Sequence, residues 1–202
     1  MTSRNSMPIV LLAVIIVIVF LGIMAYWVVS TADKSRYEIP VLGEVPEFQF
    51  TDQDGRPFGL NDMLGKICVV DFGFTRCKGP CPVMASRYSE LYNLYKGSDL
   101  VQLIYITIDP DYDSLSVLKR YAEQNGVTDN RWVFLRSSID SVVEFSEKGL
   151  SIGADKATLP GGHSTRFILI DTEGQIRSYH QSLDDDSFKK LKSNINRLAK
   201  ES

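Results

Sequence analysis

The chain has 202 residues, enough for one domain of ordinary size and an additional segment. Its 22 Lys and Arg against 25 Asp and Glu leave a net charge of −3, so no basic stripe directs it to nucleic acid. Three cysteines are too few for a disulfide framework, and two of them are spaced for chemistry.

From Pro8 to Val29 the sequence carries no charge. Those 22 residues would span about 33 Å as a helix, the thickness of a bilayer's hydrocarbon core. Tyr26 and Trp27 stand at one end, where interfacial aromatics belong. A cleaved signal peptide is the rival reading, because Ser30-Thr31-Ala32 supplies small residues for a cleavage site. The apolar run, however, is far longer than the roughly 7–15 residues of a signal core. We therefore expect residues 1–30 to be an uncleaved membrane anchor and residues 31–46 a polar tether. Arg4 before the span and Lys34 and Arg36 after it leave the orientation undecided by charge alone.

Residues 47–202 read as one domain. Phe48-Gln49-Phe50 alternates like an early strand, and Thr51 to Gly55 is a turn. Ile67 to Phe74 has the β-branched and aromatic enrichment of a buried strand. Pro80 reads as the first-turn proline of a helix to Lys96, with Met84, Tyr88, Leu91 and Leu94 on one face. A second apolar strand covers Leu100–Ile108, and Ser114–Asn125 is an amphipathic helix stopped by Gly126. A short strand at Trp132–Leu135 and a helical stretch at Ile139–Lys148 follow. Thr165–Ile170 and Gln175–His180 flank a hairpin turn ending at Gly174, and Asp184–Lys200 closes the chain as a helix. Asp184-Asp185-Asp186 reads as that helix's N-cap and first turn. Strands alternating with helices, then a hairpin and a last helix, predict an α/β domain with a mixed sheet.

Cys77 and Cys81 fall where the first long strand hands over to a helix N-terminus. There the unpaired N–H groups and the helix dipole favour negative charge, and Arg76 and Lys78 flank the first cysteine. Both effects lower a thiol's pKa and favour the thiolate, which attacks disulfides and binds soft metals. A C-x3-C pair on a helical turn also has α-carbons close enough for a disulfide, so it can be metallated or oxidised. The plainer alternative is an inert structural disulfide, but so short a loop constrains little chain. Cys68, among Ile67, Val69 and Val70, reads as a buried core thiol.

In this order, the elements look like the thioredoxin fold. Within them, F-G-F-T-R-C-K-G-P-C-P resembles the F-G-F-T-x-C-x-x-x-C-P motif of the SCO/SenC family. Ile106 to Asp113 resembles that family's S-V-D-P-x-x-D segment, and His163-Ser164 through Asp171 its D-H-S…L-I-D. The resemblance covers roughly residues 44–200. It implies a thioredoxin-like mixed sheet flanked by helices and a copper chaperone for cytochrome c oxidase assembly. Copper would be held by Cys77, Cys81 and His163, with the domain tethered outside the cytosol: in the bacterial periplasm, at the cell surface or in the mitochondrial intermembrane space. The partner would be an oxidase subunit or another copper or thiol protein. Two thiolates and an imidazole suit Cu(I). Lys78-Gly79 and Gly162 stand where the family usually carries Pro-Asp and aspartate, which leaves this site less anionic.

Two further classes stay open. Cys77-Lys78-Gly79-Pro80-Cys81 resembles thioredoxin's C-G-P-C with one residue inserted, and Val70-Asp71-Phe72 its V-D-F. On that reading the chain is a thiol-disulfide oxidoreductase: Cys77 attacks, Cys81 resolves, and a buried Asp71 accepts a proton. Asp71 reads equally well as a satisfied buried acid. A thiol peroxidase is a weaker fit, because Thr75 lies two residues before Cys77 rather than three. His180 could complete a Cys2His2 zinc site; the plainer expectation is a surface histidine at a strand end.

Overall fold

A computed structural model describes residues 6–152, 159 and 164–201, with side chains left aside at 6–9 and 29–37. The chain divides into two compact units, one ending at Ile39 and one starting at Pro40. The first is a single helix, α1 (Ser6–Tyr37). Its stretch Val10–Val28 is long and apolar enough to cross a membrane, and none of it is buried against protein. The helix also runs seven residues into the segment expected to be tether, because no proline or glycine interrupts 31–37.

The second unit is built on one eight-stranded sheet with the order β1-β8-β7-β4-β5-β6-β2-β3. The strands are β1 (Gly43–Glu44), β2 (Gln49–Asp52), β3 (Pro57–Gly59), β4 (Ile67–Gly73), β5 (Val101–Thr107), β6 (Trp132–Arg136), β7 (Arg166–Ile170) and β8 (Gln175–Gln181). β4, β5 and β6 run parallel, and β7 joins β4 antiparallel with Val70 opposite Ile168. The sheet is therefore mixed, as expected. The sequence reading missed β1, which lies within the expected tether and pairs with β8, as well as β3 and the short helix α2 (Leu60–Met63).

Every residue of β4 and β5 is buried, the mark of central strands covered on both faces. Alternation sends Cys68, Val70 and Phe72 to one face, where they join Ile104, Ile106, Leu135, Ile168 and Phe145 in one core. Val69 and Asp71 face the other way, toward α3 (Cys81–Leu94), α4 (Leu115–Gln124) and α6 (Asp185–Glu201). On α3, Met84, Tyr88 and Leu91 are buried, each contributing about 2 kcal/mol. Tyr88 also donates its hydroxyl to the Val69 carbonyl at 2.9 Å and packs its ring on Trp132 and Phe167.

Several boundaries differ from expectation. Pro80 is the N-cap of α3, not its first helical residue. Leu94 is 55% exposed, since it falls about 80° away from the Met84–Tyr88–Leu91 stripe at 100° per residue. The stretch 139–148 is not one α-helix: α5 (Ile139–Glu144) passes into a π-helical turn, Phe145–Gly149. α4 is as expected, capped by Ser114 and ended by Gly126 at φ +77. Asp184 caps α6, accepting from Ser187 N–H at 2.6 Å.

Candidate functional site

The site begins where β4 ends. The Gly73 carbonyl accepts from Ile108 N–H at 2.9 Å, binding the strand's last residue to the segment just past β5. A Cβ at Gly73 would lie 2.9 Å from the ring of Tyr105, so only glycine lets the two strands carry that ring here. The chain then crosses from Phe74 to Pro80 before α3 starts. Thr75 donates to Asp113 twice, from its backbone N–H at 3.1 Å and its hydroxyl at 2.5 Å. Arg76 pairs with Asp109 at 2.7 Å and lies over the Tyr112 ring. Its charge is thus directed to a carboxylate rather than toward Cys77. That corrects the expectation for Arg76; Lys78 is exposed.

All three cysteines are thiols. Cys77 is half-buried, and its Sγ accepts the Gly79 N–H at 3.4 Å. Cys81, first residue of α3, is 4% exposed. Burial first, then a hydrogen bond with Cys77, pushes the Cys81 thiol up to about 12. The helix-terminus argument therefore fails for Cys81: it lies too deep for the dipole to offset desolvation. The pair is asymmetric, with one sulfur near the surface and one beneath it.

Asp71 is buried on the face covered by α3 and α4, one strand from Tyr105. Burial raises its pKa well above the usual carboxylate range, and its charge in turn pushes up Cys81 and Tyr105. Among the described residues, neither Asp71 Oδ1 nor the Tyr105 hydroxyl has a hydrogen-bond partner. Asp71 is therefore not the fully satisfied structural acid of the plainer expectation. Cys68 lies on the opposite face, fully buried, with its thiol raised to about 12 by desolvation. It is a core thiol, as expected.

His180 departs from both expectations. It is 2% exposed, buried against α6 rather than at the surface. Its Nδ1 donates to the Ser187 carbonyl at 3.0 Å, so Nε2 accepts from the Ser178 hydroxyl at 2.8 Å. Burial lowers its pKa to about 4. Both ring nitrogens are committed to the β8–α6 contact, and the Cys2His2 arrangement loses its fourth ligand. His163, with the loop 160–162 before it, lies outside the described residues. Among the described residues, no three His, Cys, Asp or Glu side chains converge on a metal-sized site.

A mixed sheet with a C-x3-C pair at the first residue of the helix after a central strand defines a thioredoxin-like domain. The SCO1/SenC sequence profile matches residues 41–200, and the chain belongs to that family. A SCO1/SenC family lipoprotein from Bacillus anthracis is 31% identical, with a TM-score of 0.70 over 78% of this chain and 95% of its own. BsSco, a member of the Sco family of cytochrome c oxidase assembly proteins in which a disulfide switch was identified, shares the fold at 24% identity. Its TM-score is 0.71 over 81% and 98% of the two chains. Yeast Sco1 with copper bound is 26% identical, with a TM-score of 0.58 over 78% and 94%.

Sequence reasoning gave Thr75, Thr107, Asp109 and Asp113 no role at the site. The signal was present in the segment Ile106–Asp113, but its partners lie 33 to 38 residues away. No periodicity connects them.

Proposed function

We propose that this chain is a membrane-anchored copper chaperone, with Cu(I) as its cargo and cytochrome c oxidase assembly as its destination. The observation that carries this is the cysteine pair itself: an accessible sulfur over a buried one, in a family member whose relative from yeast holds copper. Cys77 and Cys81 supply soft donors, and His163 would supply the third. His163 precedes Arg166, the first residue of β7, by three positions, a reach of at most ~11 Å. β7 is the antiparallel neighbour of β4, so it starts at the edge where β4 ends, which favours this assignment. Transfer would proceed by ligand exchange with a partner's thiolates and imidazoles. The apolar helix α1 supports the anchor, and the chemistry favours a domain outside the cytosol.

A second reading is favoured by Asp71. In a thiol-disulfide oxidoreductase, the Cys77 thiolate attacks a partner's disulfide and releases one thiolate. The Cys81 sulfur then displaces the partner from Cys77, closing the Cys77–Cys81 disulfide and leaving the partner with two thiols. Asp71 would take the proton from Cys81 when it is in its ionised form, which burial makes a stronger base.

The deciding experiment is anaerobic Cu(I) competition on the reduced full chain in detergent. One tightly held Cu(I) per chain is expected. His163→Ala should weaken it at least tenfold, about 1.4 kcal/mol, with the dithiol–disulfide equilibrium nearly unchanged. Equal copper affinity in mutant and parent removes His163 from the site, and no uptake by the parent assigns the chain to the oxidoreductases.

A further inference from the structure

We propose that Asp113 is a positioning residue for the cysteine loop: a buried carboxylate that clamps Thr75 to the β5–α4 connection and so fixes Cys77 in its dithiol position. The inference rests on the reading of that pair as the reactive one.

Asp113 has no exposed surface. A carboxylate buried to that degree persists only where donors replace its lost water. Three do so: the Thr75 N–H and the Thr107 hydroxyl at Oδ2 (3.1 and 2.6 Å), and the Thr75 hydroxyl at Oδ1 (2.5 Å). Two of the three come from one residue, two positions before Cys77. Thr107 is itself fixed, accepting the Asp109 N–H at 3.1 Å. The Arg76–Asp109 pair repeats the attachment one residue nearer the cysteine.

Asp113 immediately precedes α4, so the plainer role would be to cap that helix. That role is already filled, because Ser114 Oγ accepts the Val117 N–H. Both Asp113 oxygens turn away from α4 toward the cysteine loop and the end of β5. The clamp therefore acts on the loop. Between Gly73 and Cys81 there is no regular structure, and without the clamp the position of Cys77 would be left to loop entropy.

Holding Cys77 in the dithiol arrangement favours that form over the disulfide. Oxidation by glutathione disulfide gives the Cys77–Cys81 bond and two glutathione thiols, and the equilibrium between these states reads the clamp directly. The full chain in detergent is equilibrated with glutathione buffers in four forms: parent, Thr75→Val, Thr75→Ser and Asp113→Asn. Thr75→Val removes only the hydroxyl donor at nearly constant volume, and Thr75→Ser restores it. The clamp predicts at least a tenfold shift toward disulfide in Thr75→Val and Asp113→Asn, about 30 mV. Thr75→Ser should lie within twofold of the parent. A folded Thr75→Val with the parent's equilibrium overturns the proposal, even if Asp113→Asn does not fold. A shift that serine does not rescue also overturns it. Cu(I) titration of the parent runs alongside: failure to bind copper defeats the chaperone reading but leaves the glutathione result to judge the clamp.

Discussion

Two buried aspartates act on the cysteine loop, and their surroundings are opposite. Asp113 offers its two oxygens to three donors. Asp71 keeps one oxygen without a partner among the described residues, and burial makes its proton hard to remove. The same side chain, buried to nearly the same degree, is in one place saturated and in the other starved. The saturated carboxylate stabilises, because its desolvation is offset by hydrogen bonds. The starved one costs stability and gains basicity, the trade expected of a group kept for chemistry.

The largest test of this contrast is Asp113→Ala. It strands the Thr75 N–H and two threonine hydroxyls, and should lower stability by about 3–5 kcal/mol in urea unfolding. A loss below ~1 kcal/mol would erase the distinction between the two acids.

His180 sharpens the comparison, because both its ring nitrogens are hydrogen-bonded and burial holds it neutral. Unfolded, it takes a proton near pH 6.5; folded, it refuses one until about pH 4. Stability is therefore full above pH 6.5 and falls as pH drops toward 4, by about 3 kcal/mol at most. Unfolding midpoints measured across that window should show the slope, and His180→Gln should flatten it. A slope that survives the substitution belongs to another group.

The smallest effect has the opposite sign. The unfolded Asp71 carboxyl ionises near pH 3.9, whereas the folded one holds its proton to a much higher pH. Each pH unit between those values costs stability as pH rises. Asp71→Asn should thus stabilise the chain at pH 7. It should also slow reduction of a test disulfide severalfold while leaving Cu(I) affinity within twofold. Unchanged exchange kinetics would make Asp71 a passive defect and count against the oxidoreductase reading.

What was legible in the sequence was whatever repeats along it. The run from Ile67 and the Met84–Tyr88–Leu91 stripe announced the central strand and its helix, and Ser114 and Gly126 announced both ends of α4. The C-x3-C pair was visible as a motif. Its protonation was not, because the burial of Cys81 depends on what the sheet packs against it. His180 was misjudged for the same reason: its partners, Ser178 and Ser187, are near in sequence, yet nothing local says that α6 folds over it. The Thr75–Asp113 clamp joins residues 38 apart, a distance that only the parallel pairing of β4 and β5 closes.

The sheet's two margins have a consequence of their own. β1 is two residues long, and β3 is three and begins with Pro57, which has no N–H to offer a neighbour. An open sheet of eight strands would ordinarily invite a second copy to add to its rim. Chains carrying a bilayer-length helix meet one another in two dimensions, at local densities that favour such additions. Short rims and a proline leave little ladder to extend, so crowding at a surface need not turn into polymerisation.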